Sequence, residues 1–176
     1  PTNIGLSLLS NLAAYDFGYI SAAQLIERTT QTFAVMEKME RFHAHFYNWY
    51  DTLTLKPLPP LYVSTVDSGN LAGLLLTLKQ GFKELPDEKI LHPQKMQGLQ
   101  TTLKVLQDIL PIPNVLDPLW EQLEKPPQNI SEIKSFVQRL QQTWVATKLP
   151  SGEEVLNWAS TFERELSDGF TNCFEL

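Results

Sequence analysis

Apolar positions recur at helical spacing along most of the chain, and the stretch 42–66 breaks the pattern. From Thr2 to Tyr15, one face carries Ile4, Leu8, Leu12 and Tyr15, and another carries Leu6, Leu9 and Ala13. A helix apolar almost all round is expected to be buried on both sides, with Gly18 as its C-terminal stop. A second helix starts at Ser21, where Gln24 completes a capping-box pattern. Leu25, Thr29, Thr32, Phe33, Met36 and Met39 form its stripe, and Glu27, Arg28, Glu37 and Lys38 fall on a solvated face. A third begins at Asp67 or Ser68, both good N-caps, follows Leu71, Leu74, Leu75, Leu78 and Phe82, and stops at Pro86. Its small residues Gly69, Ala72 and Gly73 would admit a closely approaching backbone.

Beyond Pro86 the pattern is plainer. Pro93 opens a helix to about Ile109, and Pro118 sits in the first turn of a short one over Asp117–Leu123. Two amphipathic helices follow, Ser131–Thr147 and Ser151–Ser167, the latter with Ser151 and Glu154 as a capping box. Leu110-Pro111-Ile112-Pro113 and Pro126-Pro127 separate these elements. The fold class is therefore all-α, a helical array with at most a minor β-hairpin in the 45–66 region. A single helical domain over 1–176 is expected.

Composition narrows the function. Hydrophobic residues make up 43% and charged residues 19%, enough apolar content for a packed core. The net charge of −6 argues against a nucleic-acid partner, since a phosphate backbone is bound by a basic stripe. The one cysteine, Cys173, allows no internal disulfide. No apolar run reaches the roughly 20 residues of a spanning helix, so no direct membrane insertion by this segment is expected. No phosphate loop, nucleophile elbow or zinc-protease motif occurs. His43 and His45 alone are a weak metal signal, and neither a metal nor a cofactor is expected.

The distinctive chemistry lies in the non-helical stretch. His45-Phe46-Tyr47-Asn48-Trp49-Tyr50-Asp51 and Val66-Asp67-Ser68-Gly69-Asn70 combine rings, amides and carboxylates. Rings suit the apolar faces of a pyranose, and Asn and Asp suit its hydroxyls, so a sugar cleft is the favoured reading. Core packing under a long loop is the bland alternative for the first segment, and an ordinary helix start for the second. Asp51 and Asp67 would serve glycoside chemistry only if both faced one open groove.

These segments, with Pro1-Thr2-Asn3-Ile4-Gly5-Leu6, Asp16-Phe17-Gly18-Tyr19-Ile20 and Tyr62-Val63-Ser64-Thr65, resemble the cyclic β-1,2-glucan synthases. The resemblance covers residues 1–85, and the chain is expected to begin inside the first motif. It implies a large bacterial membrane enzyme with glycosyltransferase, glucoamylase-like and phosphorylase-like parts. The chain would be the N-terminal part of the glucoamylase-like (α/α)6 toroid, with inner helices near 2–15 and 68–84. A full toroid of about twelve helices, at roughly 11–12 residues each plus loops, exceeds this length.

The implied function is cyclic β-1,2-glucan synthesis, this region handling the glucan chain by transglycosylation. The implied partners are a β-glucan chain and the remaining domains of the parent. The implied location is the cytoplasmic side of the bacterial inner membrane, within a membrane-anchored parent. Thr2, Asn3, Asn48, Trp49, Tyr50, Asp51, Asp67, Ser68 and Asn70 carry over as substrate-binding positions. No catalytic residue carries over; the family's catalytic carboxylates are expected beyond Leu176, and the isolated segment is expected to be inactive. An uncovered Leu71–Phe82 stripe would favour homo-oligomers. The alternatives are a non-catalytic carbohydrate-binding or scaffold domain, and a self-contained α-toroid glycoside hydrolase.

Overall fold

The computed structural model describes residues 1–87 and 93–171, the side chains of 130 and 169–171 excepted. Cys173 lies outside the described residues. Seven α-helices and one small hairpin make up the described part: α1 (Thr2–Asp16), α2 (Ala22–Lys38), β1 (Arg41–Phe42), β2 (His45–Phe46), α3 (Thr65–Glu84), α4 (Pro93–Ile109), α5 (Asp117–Leu123), α6 (Ile130–Ala146) and α7 (Glu153–Thr171). The all-α expectation with a minor hairpin holds. The hairpin sits at the leading edge of the non-helical stretch, pairing Arg41 with Phe46 and Phe42 with His45. His43 and Ala44 turn it with positive φ of 47° and 72°, the backbone a two-residue hairpin turn needs.

The residues group into two compact units, Pro1–Ala14 with Ala22–Glu88, and Tyr15–Ser21 with Lys89–Leu176. In the first unit, α1 buries Gly5, Leu8 and Leu12. Gly5 and Gly81 are its points of close approach to α3. A Cβ on Gly5 would lie 2.6 Å from Leu74 Cδ1, and one on Gly81 would lie 2.7 Å from Leu12 Cδ2. Two expectations need correction here. α1 is not buried on both sides, for Leu6 is 50% exposed and Ala13 is exposed. The glycines that admit a neighbour are Gly5 and Gly81; Gly69 and Gly73 meet nothing within 4 Å among the described residues. The stripe of α2 is buried at Leu25, Thr29, Met36 and Met39, but Phe33 on it is exposed; Glu27, Arg28, Glu37 and Lys38 are exposed as expected. The stripe of α3 is half covered: Leu71 and Leu78 are buried, whereas Leu75 and Phe82 line an open groove with Ile26 and Phe33 of α2.

The start of α3 also moves. Ser64, extended at φ −87° and ψ 122°, is the N-cap, and its Oγ accepts from the Asp67 N–H at 3.1 Å. Ser64 thus takes the N-cap place, so Asp67 and Ser68 lie inside the first turn and not before it.

The second unit has one continuous core. Leu99, Leu103 and Leu106 of α4, Leu119 and Leu123 of α5, Ile133, Phe136 and Leu140 of α6, and Phe162 and Leu166 of α7 are all buried in it. Asn129 caps α6 by accepting from the Glu132 N–H at 3.1 Å, and Glu132 returns the favour to Gln128 N–H at 3.0 Å. At α7 the Leu156 N–H donates to the Gly152 carbonyl, which puts Gly152, not Ser151, at the capping position. Gly18 ends α1 as expected, at φ +78° with its N–H on the Tyr15 carbonyl. No helix among the described residues is long and apolar enough to cross a membrane.

Candidate functional site

The stretch after β2 folds back on itself through backbone hydrogen bonds. Asn48 N–H reaches the Tyr62 carbonyl at 2.7 Å, Leu58 N–H the Trp49 carbonyl at 3.0 Å, and Asp51 N–H the Lys56 carbonyl at 2.9 Å. These bonds tie the two limbs of the loop together despite its prolines. Its rings divide by role. Phe46 and Tyr47 are buried and belong to the core of the first unit. The Arg41 guanidinium lies 4.5 Å from the Phe46 ring centroid, tying β1 to β2. Trp49 is 50% exposed and stacks on Tyr62, with ring centroids 6.2 Å apart and planes inclined 30°.

Tyr50 is spent on structure at its hydroxyl. The oxygen accepts from the Tyr47 N–H at 2.8 Å and donates to the Glu40 carbonyl at 2.6 Å. Burial, the largest cause, pushes its phenol pKa up. Tyr50→Phe would leave a backbone N–H and a carbonyl without that partner. The expected cost is about 1 kcal/mol, since the Glu40 carbonyl is exposed and water can replace that bond. Urea denaturation, together with faster exchange of the Tyr47 amide, would report it; an unchanged midpoint would remove Tyr50 as the brace of this loop.

Asp51 closes a turn. Its Oδ1 accepts from Leu53 N–H at 3.0 Å, Thr54 N–H at 2.6 Å and Thr54 Oγ1 at 2.8 Å. The Thr54 bonds, its backbone N–H first, hold the carboxyl below the usual carboxylate range. All three bonds fall on Oδ1, so Oδ2 takes no part in the turn.

An open groove of about 700 Å³ collects five of the nine expected positions. Asn48, Trp49, Tyr50 and Asp51 form one side, and Asn3 of α1 joins them. Its floor was not anticipated: Met36 and Met39 of the α2 end supply it, with Leu55 and Leu58 from the loop. Three further positions meet in a separate cluster. Thr2 Oγ1 donates to Asp67 Oδ1 at 2.6 Å and accepts from Asn70 Nδ2 at 3.2 Å. This cluster pins the start of α1 to the start of α3. The Ser64 hydroxyl first, then Thr2, holds the Asp67 carboxyl below its usual range. Ser68, the ninth, has a buried Oγ with no hydrogen-bond partner among the described residues. Asp51 and Asp67 are therefore both engaged as acceptors, one in a turn and one in a helix-start network. Neither is raised toward the range of a proton donor, as an acid in a carboxylate pair must be. Among the described residues, no group of three or more His, Cys, Asp or Glu could hold a metal ion.

No family model matches the chain. Over 111 residues, 62% of its length, it is 40% identical to the cyclic β-(1,2)-glucan synthase NdvB of Rhizobium meliloti (strain 1021). The chain spans 4% of the length of that curated relative. The resemblance carried by the motifs is thus borne out as kinship of sequence: this chain is related to one short stretch of a cyclic β-1,2-glucan synthase.

Proposed function

We propose that this chain supplies one wall of a glucan-binding cleft in an enzyme of cyclic β-1,2-glucan synthesis, within its glucoamylase-like, transglycosylating part. The observation that carries the reading is Trp49: an indole half open to solvent, braced by Tyr62, on a groove that also presents Asn3, Asn48 and Asp51. A pyranose packs its C–H face on such a ring, and neighbouring amide and carboxylate groups take its hydroxyls. Thr2, Asp67 and Asn70 act one step back, by holding α1 and α3 so that Asn3 meets the loop.

The state of the two aspartates favours binding over bond cleavage. With both carboxyls held below the usual carboxylate range, Asp51 is suited to accept a hydroxyl and Asp67 is not suited to be its acid partner. That weighs against a self-contained hydrolase, and it leaves the catalytic carboxylates to the rest of the parent, where the parent's other domains and its membrane anchor also belong.

Calorimetric titration with linear β-1,2-glucan tests this. Wild type should bind, and Trp49→Ala should weaken binding at least about tenfold, equivalent to ~1.4 kcal/mol. Binding by neither protein, with both well folded, would leave a scaffold role. Equal binding by both would move the sugar site elsewhere.

A further inference from the structure

In the first unit, α2 and α3 leave between them a groove of about 570 Å³, distinct from the one beside Trp49. Ile26 and Phe33 line it from α2, and Leu75, Leu78 and Phe82 line it from α3. Ile26 and Phe33 are exposed, although an amphipathic helix ordinarily turns such residues inward. The two walls match in length. Ile26 to Phe33 and Leu75 to Phe82 are each a step of seven residues, two helical turns or about 10 Å. Charge marks one rim. Lys79 and Lys83 also line the groove, one turn apart on α3, and no carboxylate lines it among the described residues. Like charges at that spacing repel, so the pair does not serve the helix itself. Neither ammonium has an ion-pair partner among the described residues. Two unpaired cations on an apolar trough run against the chain's net charge of −6.

We propose that this groove docks an acidic amphipathic helix. The helix lays apolar residues at i, i+3 or i+4, and i+7 into the two-turn trough, against Phe33 and Phe82. Its carboxylates, one turn apart, meet Lys79 and Lys83. The lysine stems, apolar for most of their length, extend the trough's wall while the ammonium groups stay at the water edge. A third helix seated between two others is the ordinary way for helical ridges and grooves to close. The assignment stands apart from the glucan reading, since none of these residues lines the Trp49 groove.

Two labelled helical peptides of about 18 residues, or five turns, are the probes. One carries a leucine stripe flanked by glutamates, and its twin carries lysines in place of the glutamates. Fluorescence anisotropy with the whole chain should show saturable binding of the acidic peptide. Its twin should bind at least about fivefold more weakly at low salt. Lys79→Glu combined with Lys83→Glu should invert that preference; both residues are exposed, so the fold is retained. Phe33→Ala should weaken both peptides, whereas Trp49→Ala should bind them as wild type does. The proposal is overturned by no saturable binding to wild type, by equal affinity for the two peptides, or by a preference that survives the double reversal. A concentration-dependent dimer in sedimentation that Phe33→Ala dissolves would overturn it too, giving the groove to a second copy of the chain.

Discussion

Gly98→Ala should destabilise the second unit by about 2 kcal/mol, although alanine is the better helix former. Gly98 lies inside α4, where exchanging glycine for alanine would ordinarily gain roughly 1 kcal/mol. Here a Cβ would sit 2.5 Å from the Gly18 carbonyl oxygen and 3.1 Å from that of Phe17. Those are backbone atoms, so no side chain can swing away, and overpacking of this kind costs typically 1–3 kcal/mol and sometimes more. Gly18 cannot retreat either. At φ +78° its own Cα already faces the Gln94 backbone carbonyl, too closely for any side chain. Gly73→Ala is the matched control, because its surroundings are open and α3 continues on both sides. That change should raise stability, by up to about 1 kcal/mol. Urea denaturation of the three proteins gives the comparison. Opposite signs are expected, and a Gly98→Ala protein as stable as wild type would mean that the 15–21 segment does not pack on α4.

Phe162→Ala should cost more, about 3–5 kcal/mol, the usual range for deleting a buried aromatic ring. Phe162 is fully enclosed in the core of the second unit, and its ring lies 4.8 Å from that of Trp144, tilted by 48°. Its loss would open a void between α6 and α7 at a place where Leu140 and Leu166 are also buried. With a total stability typically of 5–15 kcal/mol, a loss of this size would leave the unit marginal. Phe162→Leu should be much milder, since most of the volume remains. Near-UV circular dichroism with urea would separate the two variants. A deficit under about 1 kcal/mol for Phe162→Ala would show that the core closes over the gap.

Particular residues explain what could be read in advance. The helices were legible because leucines, valines and prolines mark both faces and ends, as at Pro93 and Pro118. The start of α3 was harder. Thr65 and Val66 favour extended backbone, and only Ser64, a good N-cap residue, signals that the helix begins before them. The open side of α1 was invisible because leucine on a surface reads like leucine in a core. Asn48, Trp49 and Asp51 stood out as loop chemistry, but the Tyr50 hydroxyl gave no sign that backbone groups of Glu40 and Tyr47 would occupy it. Thr2 and Asp67 are 65 residues apart, a contact that local pattern cannot supply. Met36 and Met39 were read as core, and both are buried, yet they also floor the groove. The burial of Glu165 was missed although a signal existed: it falls beside Phe162 and Leu166 on the apolar stripe of α7, where an ordinary stripe has no carboxylate.

The distribution of indoles has a spectroscopic consequence. Trp120, Trp144 and Trp158 all pack against the core of the second unit, and Trp49 alone represents the first. Trp49 is half in water, so its emission should lie to the red of the other three. A further red shift of the long-wavelength component then times the opening of the loop, and a red shift of the short-wavelength component times the melting of α4–α7. Without any added label, one emission spectrum recorded against denaturant distinguishes joint from sequential unfolding of the two halves.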